Sequence, residues 1–464
     1  MSFLPAPIAD FLTRVDSYRK ADLTRVPMAK AILWLTVPAL AGNAVQSLVN
    51  VIIMYYVSRL GTAAIAAVSV AGNVAMLVFT AIIGLSVGAT ALIARYHGAR
   101  DEINLRRAIV TTLAFSAVLA VVMAVVGTLA GKPILRLLGA EPDVVDLAYA
   151  YVRVFCIGGF GLIFLNNVSA ALRGVGDSLT PTALVILAVL LDVVLEPLFI
   201  FGVGPIPPGG VGGAALGAVV AYSLATTISL VILKRRHLPP GTLTARNVNG
   251  RMGGQIVTIG VPASLQMLIR VVAQMILIGF AALGGTAALA AYGVGFQLTG
   301  LILMPSFAFA MSAAILTGQN LGARQPERAE KSAMVSVAMC AAAAAVIVAV
   351  EVIFARRLVT LFDDTPAVVD LGVKYLYICA PSFLVVPFGM ILSRAMGGAG
   401  VSWAPLIGTA IVLLGVRIPM AYLFTHTLGM GTVGVFWAIA IPNVLEGLAT
   451  LAIFKTGVWK HKKL

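Results

Sequence analysis

The apolar residues of this chain fall into long unbroken stretches, and its charges collect mainly in the gaps between them. From Leu33 to Val57 there is no Asp, Glu, Lys or Arg, and about 20 consecutive apolar residues suffice for a helix to cross a bilayer. Comparable stretches lie near residues 62–93, 108–130, 145–171, 179–203, 211–233, 254–280, 286–317, 332–350, 369–393, 402–424 and 432–454. The pattern predicts an all-α integral membrane protein with twelve spanning helices. The runs are continuous rather than alternating, which excludes a transmembrane β-barrel. Gly and Pro inside them are compatible with helices, because neighbouring helices re-satisfy the backbone groups these residues free.

The chain is also written twice. Val37-Pro38-Ala39 returns as Val261-Pro262-Ala263, an offset of 224 residues (261 − 37). At the same offset Gly61-Thr62-Ala63-Ala64 returns as Gly285-Thr286-Ala287-Ala288, and Val144-Val145-Asp146-Leu147 as Val368-Val369-Asp370-Leu371. His97-Gly98-Ala99-Arg100 is echoed by Leu321-Gly322-Ala323-Arg324. A period this long makes each copy half a protein rather than one unit of a solenoid. Duplicated apolar halves are the mark of a secondary transporter built around a central site. The expected organisation is an N-terminal segment (1–30), a six-helix lobe (31–233), a linker (234–252), a second six-helix lobe (253–455) and a basic tail (456–464).

Composition agrees with the membrane reading: 60% of residues are hydrophobic and 11% charged, against about 25% charged in soluble domains. The net charge of +14 would suit a nucleic-acid partner, so its location decides. Arg14, Arg19, Lys20, Arg25 and Lys30 precede the first span, and Arg95, Arg100, Arg106 and Arg107 lie between the second and third. Lys234, Arg235, Arg236, Arg246 and Arg251 join the halves; Arg324, Arg328 and Lys331 follow the eighth span; Lys455, Lys460, Lys462 and Lys463 close the chain. The opposite loops are nearly uncharged or balanced. By the positive-inside rule both termini are cytoplasmic, in a multi-pass plasma (inner) membrane protein. The basicity is topology, and no nucleic-acid partner is expected. Asp10, Asp16, Arg19 and Lys20 without a long apolar core predict no cleavable signal.

Enzyme chemistry has little to work with. Cys156, Cys340 and Cys379 sit inside apolar spans without metal-ligand spacing, so they are expected to pack. The four histidines lie at span ends or in loops, and no HExxH or GxxxxGK[ST] element occurs. No enzyme, cofactor or metal is therefore expected, and transport has to draw on an ion gradient. One charge falling through 100 mV yields about 2.3 kcal/mol, roughly a fifty-fold solute gradient.

Four motifs carry a family resemblance. Met304-Pro305 through Gly318-Gln319-Asn320-Leu321-Gly322-Ala323, Leu172-Arg173-Gly174-Val175-Gly176-Asp177 with Pro181, Leu195-Glu196-Pro197-Leu198-Phe199-Ile200-Phe201-Gly202, and Arg417-Ile418-Pro419 occur in order at the corresponding spans. Together they resemble the multidrug and toxic compound extrusion (MATE) family, closer to its DinF-type branch. The resemblance implies two six-helix lobes forming a V-shaped central cleft, and export of organic cations in exchange for H⁺ or Na⁺.

Asp192 and Glu196 lie four residues apart on one face of the fifth span. Two carboxylates that close in an apolar site do not easily both ionise, so the pair is expected to take up a proton at one membrane face and release it at the other. In the family this position is an Asn–Asp pair that binds the coupling cation. Asn50 joins it by resemblance. Many relatives also place an Asp three residues further on, where this chain has Ile53, and a threonine where it has Ala218. Na⁺ needs several oxygens at once, whereas a proton needs one carboxylate, so the losses favour H⁺ over Na⁺.

The second lobe departs differently. Arg270, which the repeat pairs with Gln46, stands where some relatives carry Glu. It stays charged at any physiological pH and cannot carry protons. It is expected to hold Glu446 in an ion pair, or to favour an anionic or zwitterionic substrate; Glu446 is otherwise a second coupling group. Arg417 is expected to be structural and Glu351 interfacial. Gln46, Asn166, Asn167, Gln266, Gln274 and Gln297 are candidate lining of a substrate cleft, with Met267, Met275, Met304, Met390 and Phe388 as a soft wall. The expected activity is antiport of organic, mostly cationic and amphipathic compounds by a monomer amid membrane lipids. A flippase or exporter of a lipid-linked or other amphipathic metabolite is the alternative.

Overall fold

The structure is a computed structural model that describes residues 22–137, 139, 141–205 and 207–462. Most of the N-terminal segment, with Arg14, Arg19 and Lys20, lies outside the described residues, as does Lys463 of the tail. In chain order the first copy comprises α1 (Met28–Ser58), α2 (Thr62–Gly98), α3 (Glu102–Leu129), the short α4 (Gly131–Leu137), α5 (Pro142–Gly158), α6 (Phe160–Gly174), α7 (Leu179–Phe201) and α8 (Gly210–His237). The second copy comprises α9 (Gly250–Ala282), α10 (Thr286–Gly322), α11 (Pro326–Ile353), the short α12 (Ala355–Thr360), α13 (Pro366–Cys379), α14 (Val386–Gly398), α15 (Trp403–Ala410), α16 (Ile418–Tyr422) and α17 (Gly431–Lys455). Among the described residues eleven helical stretches are long and apolar enough to cross a membrane, and α5 with α6, bent by 48°, brings the number to twelve. The expected all-α, twelve-helix, two-lobe architecture is thus the one found.

The repeat governs helix boundaries closely. Shifting α2 and α3 by 224 residues reproduces both ends of α10 and α11 (62 + 224 = 286, 98 + 224 = 322; 102 + 224 = 326, 129 + 224 = 353). The copies diverge at the fifth span. α7 runs unbroken through Pro197, whereas its counterpart joins α15 to α16 through a wide π turn at Ile411–Arg417, with another at Leu423–Thr427. Such turns insert an extra residue and re-aim the side chains beyond them.

The chain divides into two compact units whose borders cross the repeat. One comprises Met1–Asp22 with Val37–Val261, the other Leu23–Thr36 with Pro262–Leu464. The two breaks fall within one residue of repeat-related positions: Thr36/Val37 shifted by 224 is 260/261, and the second break is Val261/Pro262. In the first unit, residues 250–261 of α9 pack so closely on α2 that a Cβ at Gly88 would stand 2.2 Å from the Ile256 carbonyl oxygen. In the second, the start of α1 is fastened by Thr36 Oγ1 to Ser312 Oγ at 2.7 Å and by Arg328 donating to the Val26 carbonyl. Cys156, Cys340 and Cys379 are buried and unbridged, in keeping with the packing role expected of them.

Candidate coupling and binding sites

In the first unit α7 carries Asp192 and Glu196 one turn apart, each only 3% exposed. Asp192 Oδ1 and Glu196 Oε2 are buried without a hydrogen-bond partner, and among the described residues no basic group stands within salt-bridge reach of either. The carboxyls sit so deep because α8 approaches α7 through small residues: a Cβ at Gly217 would lie 2.5 Å from Glu196 Cα. Close backbone approach through Gly is the usual contact between membrane helices.

Two phenols that the sequence reading did not single out belong to this site. Tyr151 on α5 interacts electrostatically with Glu196 and Asp192, and Tyr222 on α8 with Asp192. The Tyr222 hydroxyl donates to Gln46 Oε1 at 3.2 Å, and Gln46 Nε2 donates to Asn50 Oδ1 at 3.1 Å. Tyr222, Gln46 and Asn50 thus form one hydrogen-bonded chain near the acidic pair. Among the described residues Asn50 makes no hydrogen bond to Asp192 or Glu196 itself. Asn167 is fully buried; its Oδ1 accepts from Ser86 at 3.1 Å and its Nδ2 donates to the Ile163 carbonyl at 2.9 Å. Its amide is engaged within the unit rather than held free. Asn166 donates to the Leu162 carbonyl at 3.0 Å.

In the second unit Arg270 of α9 clasps Glu446 of α17 with both terminal nitrogens, Nη1 to Oε2 at 3.1 Å and Nη2 to Oε1 at 2.6 Å. Thr409 Oγ1 adds a bond to Glu446 Oε1 at 2.9 Å and accepts one from Gln266 Nε2 at 2.8 Å. The carboxylate is thus held by three donors, the geometry of a structural ion pair. Arg417, at the end of the π turn, donates to Asn443 Oδ1 at 2.6 Å, and Asn443 to Ser382 at 3.1 Å. Gln274 donates to the Tyr292 hydroxyl, and Gln297 is exposed. Glu351, expected at the membrane interface, lies two residues from the end of α11 and is 2% exposed, with both oxygens unpartnered among the described residues. Met267 and Met390 line a recess beside Arg270, Ser393 and Arg394.

The two networks occupy the same place in their repeats. Gln46 and Tyr222 become Arg270 and Glu446 on adding 224 (46 + 224 = 270; 222 + 224 = 446). One bridge between corresponding helices is neutral in the first copy and ionic in the second. This signal was available in the sequence once Arg270 was paired with Gln46, and applying the same offset to Glu446 would have picked out Tyr222.

Twelve apolar helices in two homologous copies, with unpaired carboxyls in one and an ion pair in the other, define a membrane transporter of the duplicated six-helix kind. The chain belongs to the MatE (multidrug and toxic compound extrusion) family, whose model matches residues 38–198 and 262–423. It is 27% identical to a probable multidrug resistance protein, YoeA, of Bacillus subtilis over 92% of this chain and 93% of that one. It is 25% identical to an FAD transporter of Shewanella oneidensis over 92% of this chain and 94% of that one. Among solved structures it resembles a MOP superfamily transporter from Pyrococcus furiosus, described as having a binding pocket of reverse polarity that suggests a different function. The TM-score is 0.86 at 28% identity, covering 95% of this chain and 98% of that one. The protein is a multi-pass membrane transporter of small molecules.

Proposed function

We propose that the protein is a proton-driven exporter of organic compounds, mostly cationic and amphipathic, acting as an antiporter by alternating access of its two lobes. The observation that carries this reading is the Asp192–Glu196 pair: carboxyls 3% exposed, each with a buried oxygen that no described residue bonds. Ions without partners at membrane depth cost several kcal/mol, so protonation and release at such a pair can drive a conformational change. Ile53 and Ala218 add no ionic or hydroxyl oxygen, which supports H⁺ rather than Na⁺ as the coupling ion. The same reading places the protein in the plasma (inner) membrane as a monomer among lipids, both termini and the 234–252 linker cytoplasmic, in the DinF-type branch and without a cofactor.

The test is efflux of an organic dye cation from proteoliposomes under an imposed pH gradient or an imposed Na⁺ gradient. Flux driven by the pH gradient and reduced at least about tenfold in Glu196→Gln is expected; a tenfold loss corresponds to about 1.4 kcal/mol. Flux driven only by Na⁺ would overturn proton coupling. A second reading is favoured by Arg270, a cation where an exporter of cations gains nothing from one: the cargo is then an amphipathic or lipid-linked metabolite, and the likeness to an FAD transporter is consistent with it. Folded protein that moves no dye under either gradient would select this reading.

A further inference from the structure

The recess in the second unit contains charge that neither the ion pair nor the coupling site uses. Arg270 and Arg394 both line it, with Ser393 beside them and Met267, Phe307 and Met390 as an apolar wall. Arg270 is matched by Glu446 yet its side chain remains 28% exposed. Arg394, on α14, has no carboxylate within salt-bridge reach among the described residues. The Ser393 hydroxyl oxygen is buried with no hydrogen-bond partner. Two guanidiniums and an idle hydroxyl therefore converge on one apolar recess with a single carboxylate between them. An unpaired cation in such surroundings is unfavourable until an anion reaches it.

We propose that this recess binds a phosphate or carboxylate group of an amphipathic organic molecule. Arg394 supplies a planar fork that suits two oxygens of such an anion, the partly exposed edge of Arg270 adds charge from the facing helix, and Ser393 donates a further hydrogen bond. Met267, Met390 and Phe307 accept the adjoining apolar body, the thioethers adapting to its outline. The recess itself is narrow, its space of about 330 Å³ being counted out through the open mouth, so the anionic head enters as the flexible Arg394, Met267 and Met390 side chains give way, while the rest of the molecule remains in the mouth. Cargo chosen here would carry negative charge, in contrast to the mostly cationic compounds of the first reading. The inference deepens the second reading of the cargo by naming its ligand class, and it rests on the exporter reading only for the direction of transport.

Binding is measured on full-length protein in an uncharged detergent, with no ion gradient, using 1-naphthyl phosphate as the probe and uncharged 1-naphthol as the control. Saturable binding of the phosphate is expected, weakened about tenfold by Arg394→Gln and about threefold by Ser393→Ala, and kept within about threefold by Arg394→Lys. Phosphatidylglycerol in mixed micelles is the competitor. Displacement of the probe assigns the recess to a lipid headgroup, and its failure to displace assigns it to a soluble anionic cargo; either agrees with the proposal. Folded protein that does not bind the phosphate, equal binding by 1-naphthol, or unchanged affinity in Arg394→Gln and Ser393→Ala would overturn it. If Arg394→Gln fails to fold, Ser393→Ala and Arg394→Lys still decide. Because no gradient is applied, absence of dye efflux leaves this result untouched, and absence of binding leaves proton coupling untouched.

Discussion

Gln46–Tyr222 and Arg270–Glu446 make the same bridge with different chemistry, and the energetic consequences differ accordingly. A neutral hydrogen bond contributes about 0.5–1.5 kcal/mol net, so Tyr222→Phe should lower thermal stability slightly. Removing one member of the buried ion pair strands the other charge, a loss of about 3–5 kcal/mol. Glu446→Gln should therefore lower the melting temperature in detergent far more than Tyr222→Phe, and equal shifts would show that Arg270 finds another counter-ion. A second repeat-related pair bears on stability alone. Arg100 and Arg324 both adopt left-handed backbone, φ 55° and 61°, which disfavours a residue with a Cβ by about 1–2 kcal/mol. Arg100 is also tied to Asp22 at 3.0 Å, whereas Arg324 is exposed. Arg324→Gly is expected to stabilise the protein by about 0.5–1 kcal/mol after the entropic cost of glycine, read as a rise in melting temperature.

At the scale of the element, the contact of α7 with α8 sets the depth of the acidic pair. Gly217→Ala would place a Cβ 2.5 Å from Glu196 Cα, forcing the helices apart at a loss of about 1–3 kcal/mol. Proton-driven efflux should fall with it, since Glu196 would no longer be sealed from solvent. Gly300→Ala on α10 is the control: nothing lies within 4 Å of the added Cβ, and helix propensity alone predicts a gain of about 0.5–1 kcal/mol. Opposite signs for one substitution would show packing, rather than glycine content, to be decisive. Helix positions were legible in the sequence because an apolar run of span length has only one stable form in lipid. The π turns around Arg417 were not, since Ile411–Arg417 is as apolar as any helix and the extra residue is chosen by packing. The burial of Glu351 was not legible for a related reason: position along a span does not tell which way a side chain faces.

At the scale of the whole molecule, the crossing of segments between units has a direct consequence. Residues 250–261 belong to the first unit and Leu23–Thr36 to the second, so a cut in the connector between His237 and Gly250 leaves each fragment without part of its own unit. Fragments 1–243 and 244–464 expressed singly are expected to be degraded or aggregated, and co-expressed to recover a complex that co-purifies and transports. Stable, monodisperse fragments on their own would show that the crossing segments contribute little. The near-identical helix ends of the two copies were readable from the 224-residue offset, but nothing in the repeat says that a copy and a packing unit should differ. That difference arises because a helix packs along its length on whichever neighbours reach it, regardless of sequence order.

The sequence by itself determined the membrane class, the number of spans, the duplication and the two acidic residues of the fifth span, because hydropathy, period and charge are written in one dimension. It also nominated the Arg270–Glu446 pair, which the structure joins with two hydrogen bonds. Only the tertiary structure decided that Asp192 and Glu196 lack a counter-ion among the described residues, that Tyr222 bonds Gln46 and through it Asn50, and that Arg394 has no carboxylate partner among the described residues. Those are facts of neighbourhood: burial and pairing depend on atoms brought together from distant spans, and no local pattern encodes which of them meet.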